Sequence, residues 1–189
     1  MDNITLGITG ASGATLAARI IGFLAELPNT RLSVVATANG AQVFEYETGK
    51  NLGALLQSKN AELFDSRDMF APIASGSHPV RCMAIVPCSM GTAGKLASGV
   101  CDNLLVRAAD VCLKERVPLI IAPRESPMHS IHLRNLAALS DLGAIIAPPF
   151  PAFYSRETSL DEVYDAIAGR ILKCMGFENT LYKPWGNDR

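Results

Sequence analysis

Five short runs, ITLGIT, LSVVAT, MAIVPC, PLIIAP and AIIAPP, are apolar along almost their whole length and are closed by Gly, Pro or Thr. A strand with one wet face alternates apolar and polar residues, so strands without that alternation must be covered on both faces. Between the runs lie ATLAARIIGFLAEL, NGAQVFEYET, DNLLVRAADVCLKER and SIHLRNLAALSDLG, whose apolar residues recur at helical spacing. The alternation predicts an α/β fold: a doubly wound, Rossmann-like parallel sheet with helices on both faces and right-handed crossovers. A further helix is expected over 160–175. Residues 51–79 read as helix and loop wrapped over one end of the sheet, and 181–189 as a C-terminal tail. No linker, repeat or low-complexity tract interrupts the 189 residues, which read as one domain over 1–189.

Charge removes several classes of function. The 17 basic and 18 acidic residues are spread along the chain, without the basic patch of a nucleic-acid binder. No apolar stretch approaches the roughly 20 residues of a membrane span. The first residues carry no basic region of a signal peptide. Cys82, Cys88, Cys101, Cys112 and Cys174 are odd in number and form no C-x-x-C pair, which reads as buried thiols and a cytoplasmic location. A charged fraction of 19% is low for a small soluble protein and points to surface taken up by self-association.

In doubly wound folds ligands bind outside the carboxyl ends of the strands. The first such end is Thr9-Gly10-Ala11-Ser12-Gly13, where two glycines allow close backbone approach and the following helix offers unpaired N–H groups. Ser12 either caps that helix or aims its hydroxyl at a ligand. Pro87-Cys88-Ser89-Met90-Gly91-Thr92 repeats the arrangement at a second helix mouth, so a mononucleotide with its phosphate in one of the two turns is expected. Asn103, Arg107, Asp110 and Lys114 form a polar stripe along one helix face, either an ion-paired solvated face or a cationic wall for phosphate. Arg124-Glu125 places two opposite charges at the end of a buried strand, where Arg124 could hold phosphate or a flavin carbonyl and Glu125 could move a proton. His129 and His132 have a metal-like spacing but no third ligand nearby, so no metal is expected. The loop PPFPAFY, ending in Tyr154, is suited to wall an apolar pocket.

These segments, GITGASGA, PCSMGT, DNLLVRAADVCLKER, PLIIAPRESPMHSIHLRN, GAIIAPPFPAFY and PWG, resemble in order the UbiX-type flavin prenyltransferases, whose relatives include the Pad-type partners of phenolic-acid decarboxylases. The resemblance implies metal-independent transfer of a dimethylallyl group, from dimethylallyl monophosphate, to N5 and C6 of reduced FMN. It further implies delivery of prenylated FMN to a UbiD-type decarboxylase and assembly as a homododecamer. By motif position, Gly10, Ala11, Ser12, Thr37, Ser89, Met90, Gly91, Thr92 and Arg124 would line FMN, with Arg107 supporting. Lys114, Arg124, Tyr154 and Arg170 would surround the prenyl phosphate, some from neighbouring subunits, with Trp185 supporting. Ser12, Glu47, Lys114 and Glu125 would serve the reacting centre. Thr37 lies in ATANG rather than the Ser-Lys pair of that family loop, and Met69 and Phe70 stand where some members place a Trp.

The residue inventory agrees with this chemistry. An allylic phosphate ionises among fixed cations in a dry site, and the chain has no Asp-Asp pair of the kind that holds Mg²⁺ for diphosphate donors. Two alternatives remain open at this level. One is an FMN-dependent cysteine decarboxylase, which would use an early His and a P-x-M-N-x-x-M-W segment; here no His precedes His78 and the segment reads Pro123-Arg-Glu-Ser-Pro-Met. The other is a non-catalytic FMN-binding carrier, for which a cluster around a second phosphate would have no use.

Overall fold

A computed structural model describes residues 1–57 and 59–186. Six strands run β1 (Asp2–Ile8), β2 (Thr30–Ala36), β3 (Ala61–Asp65), β4 (Cys82–Cys88), β5 (Leu119–Pro123) and β6 (Ile145–Ile146). They form one sheet of order β3-β2-β1-β4-β5-β6, parallel throughout. The helices are α1 (Ala14–Glu26), α2 (Ala38–Thr48), α3 (Leu52–Gln57), α4 (Met90–Ala97), α5 (Leu104–Lys114), α6 (Ser130–Asp141) and α7 (Leu160–Cys174). The expected doubly wound sheet is therefore present, with helices on both faces.

The absence of polar alternation has its cause in the packing. Ile4, Leu6, Ile8, Leu32, Val34, Ala84 and Ile120 face α1 and α7 in one core. Val35, Met83, Ile85, Leu119 and Ile121 face α4, α5 and α6 in the other. Gly7 belongs to this second face: a Cβ there would stand 3.0 Å from Leu105 Cγ, so the missing side chain lets α5 lie close against β1.

Two expectations need correction. The stretch 51–79 contains a strand, β3, as well as helix and loop. It sits at the sheet edge with β2 as its neighbour, and Glu62, Leu63 and Asp65 are exposed, so burial never demanded an apolar run there. At the other edge AIIAPP contributes only Ile145 and Ile146 to β6, because the prolines that follow cannot donate to a ladder. Of the expected tail, 181–186 pack near α7, and 187–189 lie outside the described residues.

The thiols are largely sealed. Burial pushes Cys82 up to about 11 and Cys88 and Cys112 up to about 12, so none of the three supplies a thiolate near neutral pH. Titration of the native protein with an aromatic disulfide reagent at pH 8 should show fast reaction only of the half-buried Cys101 and Cys174, the remaining three following on denaturation. Fast labelling of Cys88 would contradict this packing.

Candidate active site

The sheet order reverses between β1 and β4: the chain leaves β1 toward β2 on one side and returns to β4 on the other. A crevice necessarily opens outside the carboxyl ends of those two strands. Its walls are the β1–α1 turn, Thr9 to Gly13, and the β4–α4 turn, Ser89 to Thr92.

Thr9 joins the two walls. Its side chain is buried, donates to the Pro87 carbonyl at 2.8 Å and accepts the Ser89 N–H at 2.7 Å, while its own N–H donates to the same carbonyl at 3.2 Å. Sequence analysis placed Thr9 at a strand end and missed this role. Its partners lie nearly eighty residues away, so no local signal could have disclosed it.

The β1–α1 turn is organised differently from a serine-capped helix. Gly13, not Ser12, is the N-cap of α1, at φ 116, and makes no side-chain cap. The cap comes from α2, where the Glu47 carboxylate accepts the Gly13 N–H at 2.9 Å and the Ala14 N–H at 2.7 Å. A carboxylate at this position meets the positive end of α1, a favourable placement for its charge. Two consequences follow. The anion nest of the first turn is filled by the protein's own side chain. Ser12, relieved of capping, is exposed, and among the described residues its hydroxyl has no hydrogen-bond partner. Gly10 packs against the start of α2 so closely that a Cβ would lie 2.7 Å from Asn39 Cβ.

The other turns keep free donors. Thr37 caps α2 by accepting the Gly40 N–H at 3.0 Å. Ser89 caps α4 by accepting the Thr92 N–H at 3.3 Å, with the two hydroxyls 3.0 Å apart. Among the described residues, the Met90 and Gly91 N–H groups of that first turn have no protein partner, and open space surrounds Gly91 where a Cβ would stand. Arg124 and Glu125 are exposed directly after β5, and the Arg124 N–H is tied to the Cys88 carbonyl at 3.0 Å. Ala11 is buried beneath the turn. Gly10, Ala11, Ser12, Thr37, Glu47, Ser89, Met90, Gly91, Thr92, Arg124 and Glu125 thus gather at one sheet end.

The remaining site residues lie elsewhere in the chain. On α5 the ion-paired reading of the stripe accounts for Arg107. It donates to Asp110 at 2.9 Å and to the Ala74 carbonyl at 3.0 Å, while Asn103 caps the helix. Lys114, at the far end of α5, pairs with Glu115 beside Gly76, near the amino edge of the sheet and a strand's length from Ser12. Tyr154, Arg170 and Trp185 form a third group outside the β6 edge. The rings of Tyr154 and Trp185 meet edge to face at 4.9 Å. The Arg170 guanidinium lies 5.3 Å from the centre of the Tyr182 ring, with Nη1 3.5 Å from its hydroxyl. Tyr182 was not among the expected site residues, and Met69 and Phe70 lie on an exposed loop, Phe70 entirely so. The His129 and His132 rings stack at 3.5 Å on the first turn of α6.

Comparison with known proteins points one way. The flavoprotein family model matches residues 1–172. The chain is similar to the flavin prenyltransferase UbiX of Methanothermobacter thermautotrophicus, at 42% identity over 96% of this chain and 94% of that one. It is similar to the enzyme of the same name from Chlamydia pneumoniae, at 41% identity over 99% of both. Among solved structures, it is similar to a dodecameric FMN-dependent UbiX-like decarboxylase from Escherichia coli O157:H7, with TM-score 0.93, 34% identity and coverage of 98% and 100%. It matches AnUbiX in complex with FMN and dimethylallyl pyrophosphate with TM-score 0.93, 35% identity and 98% of each chain covered. The FMN-dependent cysteine decarboxylase TvaF shares the fold alone, at 21% identity and TM-score 0.66.

Proposed function

The chain belongs to the flavoprotein family, in its flavin prenyltransferase branch, and from that premise we propose that it joins a dimethylallyl group from dimethylallyl monophosphate to N5 and C6 of reduced FMN. The observation that carries this reading is the crevice between β1 and β4. There the free hydroxyl of Ser12, the uncommitted Met90 and Gly91 N–H groups and the exposed Arg124 converge, a donor set suited to a flavin mononucleotide. Open space at Gly91 lets a ligand approach the backbone there. Gly10, Ala11, Ser12, Thr37, Ser89, Thr92 and Arg124 would hold the flavin, with Arg107 bracing the α5 wall. When bound, reduced FMN supplies the electron-rich ring positions that accept the allylic carbon.

The protein's own work is to make phosphate a good leaving group and to keep water away. Breaking the allylic C–O bond leaves its electron pair on phosphate, so fixed cations stabilise the departing charge. Arg124, Lys114 and Arg170 would supply them, and Glu125 would exchange a proton with the phosphate or the acceptor. Tyr154 and Trp185 would form the electron-rich apolar wall that a developing allylic cation requires. One chain holds these groups apart, so the site is completed between copies. Phe70, Tyr46, Phe150 and Phe153, all strongly exposed, offer the apolar surface for such contacts. A homododecamer, a cytoplasmic location and a UbiD-type decarboxylase as recipient of the product complete the proposal. No helix among the described residues is long and apolar enough to cross a membrane.

Mass spectrometry of the flavin, after anaerobic mixing of the reduced FMN-loaded protein with dimethylallyl monophosphate, tests the reaction. Gain of one C5 unit that depends on the donor is expected, and unchanged FMN would overturn the reading. A parallel run with the pyrophosphate decides the phosphate state. Glu125→Gln should retain FMN affinity yet slow prenyl transfer at least about tenfold, the scale of a lost acid–base group. An unimpaired single-turnover rate would remove Glu125 from that role.

A further inference from the structure

Beyond the end of α7 the chain doubles back along the helix that has just been completed. A glycine, Gly169, is buried in the middle of α7, where it lowers helix propensity by about 1 kcal/mol relative to alanine. Its use is spatial: a Cβ there would stand 2.7 Å from Asn179 Oδ1, 2.9 Å from Leu181 Cβ and 3.0 Å from Tyr182 Cδ1. Three residues of the returning segment therefore lie against the bare backbone of α7. Asn179 fastens them. Its amide donates to the Gly169 carbonyl at 3.0 Å and to the Phe177 carbonyl at 3.2 Å, and its Oδ1 accepts the Leu181 N–H at 3.1 Å. Leu181 then packs onto the core beneath.

What the segment carries is as telling as how it is held. Next to Leu181 comes Tyr182, whose ring and hydroxyl address the Arg170 guanidinium. Three residues further comes Trp185, edge to face with Tyr154. We infer that Gly169 and Asn179 form a clasp that positions Tyr182 and Trp185, and through them Arg170 and Tyr154, in the prenyl-phosphate half of the active site. The inference rests on the prenyltransferase reading for what that half binds, but the clasp itself stands on the contacts of this chain. Tyr182 acts on Arg170 from the side, leaving the guanidinium one face toward the ring and its outer N–H groups for an anion. Without the clasp, Arg170 and Tyr154 would remain on their own elements but lose their partners.

The sole tryptophan makes the clasp observable without any assay of catalysis. In full-length protein, Trp185 fluorescence anisotropy should fall in Gly169→Ala, and acrylamide should quench it about twofold faster, as expected of a segment released to solvent and ns motion. The thermal midpoint should not fall correspondingly, because alanine favours α7. Asn179→Ala should reproduce the release by removing the three hydrogen bonds, and serves where Gly169→Ala folds poorly. In turnover, Gly169→Ala should raise KM for dimethylallyl monophosphate about tenfold, equivalent to 1.4 kcal/mol, with little change in kcat or FMN affinity. Tyr182→Phe should preserve most of that KM by keeping the ring, whereas Tyr182→Leu should not. Unchanged Trp185 anisotropy in both clasp variants would overturn the clasp. Released tryptophan with an unaltered donor KM would overturn its role in positioning the site. If wild-type protein transfers no prenyl group, the functional reading fails, and the fluorescence still decides whether the clasp exists.

Discussion

Thr9→Val should cost about 2–5 kcal/mol of stability, because it leaves two buried backbone groups unserved in a side chain of the same shape. The Ser89 N–H would lose its acceptor at 2.7 Å, and the Pro87 carbonyl would lose its hydroxyl donor at 2.8 Å while keeping the longer bond from the Thr9 N–H. Each loss lies where the β1 and β4 turns meet. The effect should therefore reach beyond stability to FMN affinity, as the two walls of the crevice drift apart. Urea denaturation would read the first effect as a lower midpoint at unchanged slope, and flavin titration of the folded variant would read the second. Thr9→Ser, which keeps the hydroxyl, should recover most of both. A valine variant as stable as wild type would mean that the Ser89 N–H is not shielded from water.

What could be read in the residues, and what could not, divides along the range of the interaction. The parallel sheet was legible because burial on both faces writes itself into every residue of VVAT or LIIA. The switch-point location followed from the order of such segments. β3 was hidden because an edge strand with exposed Glu62 and Asp65 needs no apolar run and carries no such signature. The site was legible only as local motifs: serines before helices, a charge pair after β5. Its construction is non-local. Glu47 reaches back over more than thirty residues to cap α1, and Asn179 reaches ten back to grip α7. Ser12 illustrates the cost. Its position suggested a cap equally with a ligand contact, and only the arrival of Glu47 at the helix start frees it for the crevice. Lys114, in turn, carries the family pattern yet lies at the amino edge of its own sheet, because the grouping that the pattern describes is between chains and not within one.

Glu47 is where structure and chemistry are hardest to separate, and a pair of variants separates them. Glu47→Ala should remove two hydrogen bonds to an ionised acceptor, at 2.7 and 2.9 Å, and with them about 2–3 kcal/mol of stability and the fixed shape of the turn that bears Ser12. Prenyl transfer should fall on the order of a hundredfold, the consequence expected when a reacting group loses its alignment. Glu47→Gln retains the side-chain carbonyl as an acceptor for one of the two N–H groups and gives up the charge. If Glu47 only holds the turn, the glutamine variant should regain most of both the stability and the rate. If it also takes up a proton during transfer, glutamine should restore stability while the single-turnover rate stays low across the pH range. Our expectation is the second outcome. A carboxylate already spending its oxygens on two backbone donors beside an uncommitted serine hydroxyl is placed to accept from that hydroxyl when the flavin arrives. A glutamine variant with wild-type rates would assign Glu47 to architecture alone and leave Glu125 as the proton carrier of the site.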